Sequence, residues 1–198
     1  ILAVISVLVL GLTINYFAAF LLASSIAFYI FIYTVWLKRR THHNIVIGGA
    51  AGAFPPVIGW SCVTGDISVL PLMLFLIIFV WTPPHFWALA MYKDVEYSKV
   101  NIPMLPVVHG RKVAKIQSFI YSLVLCLVSV APFFIGLTGK VYLFSSLFLN
   151  SIFIFYSFKL LNSDKNENDI FASRLFKFSI LYLYLIFMFF ILDKIFQI

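Results

Sequence analysis

The sequence predicts an all-α protein, a polytopic bundle of transmembrane helices. Apolar residues make up 63% of the chain and charged residues 11%, against about one half and one quarter in soluble domains. The mean hydropathy of +1.06 is that of a chain embedded in a lipid bilayer. Apolar and polar residues do not alternate strictly along the apolar runs, so a transmembrane β-barrel is not expected.

Seven apolar runs are the candidate helices, because a helix needs about 20 mostly apolar residues to cross the hydrocarbon core. They cover residues 1–14, 16–37, 45–62, 70–92, 114–136, 141–161 and 174–196. The first run has neither a starting Met nor the basic segment and cleavage site of a secretory signal. We therefore expect an N-terminally truncated fragment that forms one transmembrane domain over residues 1–198.

Two double prolines interrupt the third and fourth runs. Pro55-Pro56 and Pro83-Pro84 are expected to kink or break their helices, because proline lacks an N–H and clashes with the preceding turn. Such breaks are tolerated where they line a cavity, so we expect a common cavity that His85 enters. A histidine in a span is either a structural or a functional residue, and both roles stay open. The glycines within residues 48–52 have the spacing of closely packed membrane helices and do not form a P-loop.

The basic residues predict the orientation of the helices. Twelve of the 14 Lys and Arg residues fall near the loops after the second, fourth and sixth helices, and only Lys140 and Lys194 lie elsewhere. Positive loops stay on the cytoplasmic side, so these three loops are expected there. The net charge of +7 therefore reflects topology and not nucleic-acid binding. The expected partners are the lipid bilayer and an anionic substrate.

The first of these loops carries Lys38, Arg39 and Arg40, followed by His42 and His43. Two interpretations remain open for the three cations. They are either a positive anchor at the membrane face or a clamp for phosphoryl oxygens, to which Arg offers a planar fork of donors and Lys a point charge. Adjacent histidines point apart, so a metal site at His42 and His43 is not expected.

The second loop, residues 93–113, contains Asp94 and Glu96. On an irregular segment both carboxylates can approach one cation, and Mg²⁺ is usually held by one or two carboxylates plus substrate phosphates. The alternative is a solvated loop with incidental acids. The third loop, residues 162–169, is expected to be a solvated turn before the last helix.

Four stretches closely resemble the protohaem IX farnesyltransferase family, also called haem O synthases, within the intramembrane prenyltransferases that also make quinones. They are residues 33–41, 44–60, 84–110 and 172–180. The family has nine transmembrane helices around a central cavity, and this chain would supply helices three to nine. The resemblance implies transfer of the farnesyl group of farnesyl diphosphate to a vinyl group of haem b, with addition of water and release of diphosphate.

The resemblance also implies roles for individual residues. Asp94 and Glu96 would bind Mg²⁺, and Lys38 and Arg39 would hold diphosphate as catalytic residues. The implied location is the bacterial inner membrane with the site on the cytoplasmic face, and the product would serve terminal oxidases. The implied substrate-binding residues are Arg40, His85, Tyr97 and Asn101.

The chain departs from the family pattern in two places. The first acidic motif, Asn-x-x-x-Asp-x-x-x-Asp, does not occur in it, so we expect the fragment to be inactive alone. Where the family commonly reads Asp-Tyr, this chain has Glu96-Tyr97. Two alternative functions are a prenyltransferase for a phenolic quinone precursor and a polytopic transporter, which would show a repeated half with matching helix breaks.

Overall fold

A computed structural model describes residues 1–92, 103–164 and 168–196, with the backbone alone for Asn168 and Asp169. All regular structure in these residues is helical. One stretch, Phe28–Leu37, is π-helical and follows directly on the α-helix Tyr16–Ala27. The α-helices are α1 (Leu2–Thr13), α2 (Tyr16–Ala27), α3 (Asn44–Ala53), α4 (Pro55–Thr64), α5 (Val69–Tyr92), α6 (Leu105–Phe134), α7 (Lys140–Asn162) and α8 (Asn168–Phe196).

Among the described residues, six helical stretches are long and apolar enough to cross a membrane. They are Tyr16–Leu37, Asn44–Thr64, Val69–Tyr92, Leu105–Phe134, Lys140–Asn162 and Ile170–Phe196. The predicted all-α fold is confirmed. The first predicted helix is shorter than a span, at 12 residues. The fifth and seventh helices begin earlier than predicted, at Leu105 and Asn168.

Two compact units divide the chain, Ile1–Phe79 and Val80–Ile198, and α5 contributes residues to both. In the first unit Asn15 fixes the start of α2. Its Oδ1 accepts the N–H of Ala18 at 2.7 Å, and its Nδ2 donates to the carbonyl of Ser61 at 2.9 Å. One amide side chain therefore both caps α2 and ties it to α4. The prediction of a single domain stays a prediction.

The π-helical segment after α2 has bonds that reach back five residues. The backbone N–H of Lys38 donates to the carbonyl of Tyr33 at 2.8 Å, and this i to i+5 backbone pattern defines a π-helix, a rare form that is frequent at functional sites. The side-chain hydroxyl of Thr34 also reaches back five residues and donates to the carbonyl of Tyr29 at 2.9 Å. The Tyr33 ring lies so close to α3 that a Cβ atom at Gly48 would overlap it. The predicted close packing of the glycines is confirmed at Gly48 but wrong at Gly52, where an added Cβ atom would meet no other atom of the described residues within 4 Å.

The two double prolines have different effects. Helix α3 ends at Ala53 and α4 begins at Pro55, so the predicted break at Pro55-Pro56 is confirmed. These prolines occupy the first turn of α4, where their missing N–H groups would have no helical partner. Helix α5 runs continuously through Pro83-Pro84, and the predicted break there is wrong. Both prolines are buried, and neighbouring helices and Ser or Thr side chains can satisfy the freed carbonyls of a membrane helix.

The second unit packs α6, α7 and α8 around aromatic and polar side chains. Tyr182, with no exposed surface, contacts the ring of Phe153 edge-on, with centroids 5.0 Å apart. Its hydroxyl donates to Oδ1 of Asn150 at 2.9 Å, and Nδ2 of Asn150 donates to the Ser129 hydroxyl at 2.8 Å. One buried amide thus links all three helices, and such bonds between membrane helices contribute about 1 kcal/mol each.

The start of α7 is capped by a side chain from α8. Asp193, 1% exposed, accepts hydrogen bonds from the backbone N–H of Gly139 and, at 3.0 Å, from that of Tyr142. These N–H groups lie in the first turn, where no helical carbonyl is available to them. A carboxylate at a helix N-terminus is also favoured by the helix dipole. Asp193 therefore joins the end of α8 to the beginning of α7.

Candidate functional site

The predicted basic clamp lies in a turn that follows the π-helical segment. The N–H groups of Arg40 and Thr41 donate to the carbonyl of Leu37, at 3.0 and 3.2 Å. Leu37 is buried, whereas Arg39 and Arg40 are exposed and Lys38 is half-buried. The turn therefore holds three consecutive cations around one anchored apolar residue, at the end of a candidate span.

Asn44, the first residue of α3, is hydrogen-bonded to the backbone of this turn. Its Nδ2 donates to the carbonyl of Lys38 at 3.1 Å, and its side chain is 1% exposed. Its Oδ1 has no hydrogen-bond partner within the described part of the chain. A buried acceptor without a partner is costly, so the oxygen is available to a water or a ligand donor. Asn44 is not among the predicted site residues, although it is a polar residue that opens an apolar run directly after a basic loop.

His85 lies in the second unit, between aromatic rings. It is 8% exposed and stacks on Trp81, one turn earlier in α5, with centroids 4.2 Å apart. Phe176 of α8 stacks at 4.8 Å, and Phe86 contacts the imidazole edge-on at 5.1 Å. The ring plane of His85 is therefore fixed by packing.

Ser179 of α8 fixes the hydrogen bonding of this histidine. Nδ1 of His85 and Oγ of Ser179 lie 2.6 Å apart, and the same hydroxyl donates to the carbonyl of Phe176 at 2.6 Å. A hydroxyl has one proton, so its bond to the carbonyl makes Nδ1–H of His85 the donor in the other bond. Nε2 is then the acceptor nitrogen of the neutral ring. The Trp81 indole N–H donates to the carbonyl of Ser179 at 2.8 Å and holds the two helices together.

The remaining predicted site residues lie outside the described part of the chain, and their roles stay predictions. They are Asp94, Glu96, Tyr97 and Asn101. Within residues 1–92, 103–164 and 168–196, no group of three His, Cys, Asp or Glu side chains lies close enough to hold a metal ion.

Residues 1–190 match the profile of the UbiA prenyltransferase family. The chain belongs to this family. It is a multi-pass membrane protein with six candidate spans in the described residues.

Two relatives show where the chain falls within the family. It is 51% identical to the protoheme IX farnesyltransferase of Parvibaculum lavamentivorans, covering 98% of this chain and 61% of that protein. It is 50% identical to the protoheme IX farnesyltransferase of Acidiphilium cryptum, covering 98% and 63%. The predicted resemblance to these farnesyltransferases is confirmed. The chain spans about three fifths of the length of these relatives.

A solved structure shares the fold of this UbiA family member. It comes from a study of the biosynthesis of digeranylgeranylglyceryl phosphate synthase in membranes. The TM-score is 0.79 at 19% sequence identity, with 97% of this chain and 66% of that chain covered. At this identity the likeness shows the fold alone, and it agrees with the helices described above.

Several neighbours of His85 were not among the predicted site residues. Trp81, Phe176 and Ser179 surround His85, yet only the resemblance of residues 172–180 to the family pointed toward the last two. Phe176 and Ser179 lie more than 90 positions after His85 in the sequence. Helical spacing along α5 therefore predicts the neighbour Trp81 but not the two neighbours on α8.

Proposed function

We propose that the full-length protein transfers the farnesyl group of farnesyl diphosphate to a vinyl group of haem b, giving haem O and diphosphate. The observation that supports this most is the 51% identity over 98% of the chain to a protoheme IX farnesyltransferase. Membership of a prenyltransferase family also favours this function over the transporter alternative.

On this proposal the basic turn holds the diphosphate. Arg39 and Arg40 offer planar forks of donors to its oxygens, and Lys38 adds a compact positive charge. Negative charge grows on the diphosphate as the farnesyl carbon–oxygen bond breaks, so cations fixed beforehand lower the barrier. The bond between Asn44 and the carbonyl of Lys38 keeps the turn in place for that purpose.

Asp94 and Glu96 would hold Mg²⁺ through their carboxylate oxygens, the ligand type that this ion prefers. The bound ion would neutralise charge on the diphosphate oxygens. The chain contributes only seven acidic residues, and these two stand next to the fourth predicted span. Tyr97 and Asn101 follow in the same loop and are proposed to contact substrate.

His85 would contact haem b. The bond to Ser179 leaves Nε2 with a free lone pair, which suits ligation of the haem iron or a hydrogen bond accepted from a protonated propionic acid group. Stacked rings on both sides hold the imidazole orientation that such a contact needs.

The bond changes balance with water as the one reactant beyond haem b and farnesyl diphosphate. The leaving diphosphate takes the electron pair of the carbon–oxygen bond, and the vinyl group supplies the pair for the new carbon–carbon bond. Water adds to the vinyl carbon that becomes electron-deficient and then loses a proton. The aromatic residues of the chain, 23 Phe, 10 Tyr and 4 Trp, suit both a farnesyl cation and a flat macrocycle.

The remaining parts of the proposal concern the cell. The protein would lie in the bacterial inner membrane with the basic turn toward the cytoplasm, and its product would serve terminal oxidases. The positions of the basic residues support this orientation.

The test is a reaction of the purified full-length protein with haem b, farnesyl diphosphate and Mg²⁺, followed by chromatography and mass measurement of the extracted haem. We expect a mass gain of one farnesyl group plus one water. A parallel reaction contains a phenolic quinone precursor in place of haem b. Unmodified haem together with a prenylated phenol would overturn the proposal.

A further inference from the structure

A basic pocket lies where α6 and α7 come together at the ends of their candidate spans. Its volume is about 630 Å³, within the range of small-molecule sites. The pocket belongs entirely to the second unit and contains none of the residues assigned above to farnesyl transfer. It is lined by Arg111, Lys112, Lys115, Ile116, Leu161, Ser163 and Asp164.

The pocket begins at a break inside α6. Gly110 has φ of +82° and ψ of 161°, a conformation that glycine adopts far more readily than other residues, so the regular helix resumes at Arg111. Three cationic residues then fall within the first five positions, Arg111, Lys112 and Lys115. Cations near a helix N-terminus are opposed by the helix dipole, and a bound anion would relieve this repulsion.

Lys115 is built into the wall of the pocket. Its side chain is 8% exposed, and Nζ donates to the carbonyl of Ser163 at 2.7 Å. In the described part of the chain this bond uses one of the three donors of the ammonium group, so two remain for a ligand. The carbonyl fixes the ammonium at the junction of α6 with the end of α7.

The charges of the lining residues favour an anion. Arg111, Lys112 and Lys115 give +3 and Asp164 gives −1, a sum of +2. Arg and Lys side chains of this kind form their strongest hydrogen bonds with phosphate and carboxylate oxygens.

An exposed apolar stripe runs down α6 from the pocket. Ile116 lines the pocket, and Ile120, Leu123 and Leu127 follow it at helical spacing on the same face, with exposed fractions of 40, 45, 41 and 74%. A soluble phosphate has no apolar part that could contact this stripe, whereas the acyl chain of a lipid would lie along it.

We propose that this pocket binds the phosphate of an anionic phospholipid headgroup, with an acyl chain of the lipid along the stripe. Basic pockets between membrane helices are known to bind anionic lipid headgroups. The proposal is independent of the farnesyl transfer proposed above, because it requires neither substrate.

The test is native mass spectrometry of the purified full-length protein in detergent, titrated separately with phosphatidylglycerol, phosphatidylcholine and inorganic diphosphate. The variant is Arg111→Gln with Lys112→Gln. The control is Lys140→Gln with Lys159→Gln, which removes the same charge from two exposed lysines outside the pocket. If the double variant does not fold, a single charge reversal in the pocket, Lys112→Glu, is compared with the control charge reversal Lys159→Glu outside it.

We expect the variant to bind phosphatidylglycerol about 30-fold more weakly, at roughly 5-fold for each basic residue, and the control to change less than 2-fold. Phosphatidylcholine should bind weakly to all forms. Equal loss of phosphatidylglycerol binding in variant and control would overturn the proposal, and so would equal binding of the two lipids. Binding of diphosphate alone, lost in the variant, would assign the phosphate site to a soluble ligand and overturn the lipid.

Discussion

The carboxylate of Asp193 accepts a hydrogen bond from the backbone N–H of Tyr142 at 3.0 Å, across 51 residues of sequence. The same carboxylate also accepts the N–H of Gly139, so one side chain of α8 completes the first turn of α7.

Asp193→Ala should destabilise the protein by about 2 kcal/mol, because one buried and one partly buried N–H group lose their acceptor. Thermal unfolding in detergent would show a lower Tm. Asp66→Ala is the control, since Asp66 is exposed and its described bond is a 3.2 Å contact with the Trp60 indole. An unchanged Tm for the Asp193 variant would mean that water replaces the carboxylate.

Gly48→Ala should destabilise the first unit by about 1–3 kcal/mol, because the added methyl overlaps the Tyr33 ring near its attachment point as well as at its edge. Gly52→Ala is a matched control one turn later on α3, where nothing lies within 4 Å of the added atom. Alanine there should be neutral or stabilising by up to about 1 kcal/mol. Equal Tm values for the two variants would contradict close packing at Gly48.

Arg39→Ala in the full-length protein should lower kcat/KM for farnesyl diphosphate about 10- to 100-fold, the loss expected for a hydrogen bond to a charged group. Lys140→Ala removes an exposed cation outside the turn and should leave kcat/KM unchanged. The measurement is initial rate against farnesyl diphosphate concentration at saturating haem b. Wild-type kinetics in the Arg39 variant would remove this residue from the diphosphate site.

Ser179→Ala should raise KM for haem b several-fold and leave KM for farnesyl diphosphate unchanged. Without the hydroxyl, neither the tautomer of His85 nor the orientation of its ring is held by a hydrogen bond to residue 179. Ser179 thus acts as a positioning residue. Ser151→Ala, at an exposed serine of α7, serves as the control. Equal effects on both substrates would indicate general loosening of the helices.

Replacing both Asp94 and Glu96 with Ala should abolish turnover, and each single variant shows which acid matters more. Removing Mg²⁺ with a chelator should have the same effect on the wild-type protein, and added Mg²⁺ should restore its activity but not that of the double variant. Asp66→Ala is the control for a lost carboxylate. Turnover retained in the double variant would exclude this pair from the site.

The apolar runs predicted the helices well, because a helix that crosses about 30 Å of hydrocarbon must have a certain length and an apolar composition, and both can be seen in the sequence. The double prolines were a harder case. Pro55-Pro56 and Pro83-Pro84 are the same dipeptide within similar runs, yet only the first pair ends a helix. What distinguishes them is the burial of the second pair among neighbouring helices, which local sequence does not record.

The basic turn was predictable as a run of charges, but its support was not. Asn44 became recognisable as a partner of Lys38 only when the helix ends were placed. The role of Ser179 was harder to predict, because its contact with His85 depends on the packing of α8 against α5. The role of Asp193 could not be predicted either, since a single acid in an apolar run does not indicate which backbone N–H groups it accepts.

The π-helical segment sets the direction in which the cations of the basic turn face. Each residue of an α-helix advances the chain by about 100° around its axis, so a wider coil over Phe28–Leu37 accumulates an angular offset before Lys38 is reached. Deleting one residue there and allowing an α-helical repeat to form would swing Lys38, Arg39 and Arg40 around the axis together. The number of residues in the π-helical segment thus sets the direction in which the cations face, and a change in that number would alter the direction without altering any charged side chain.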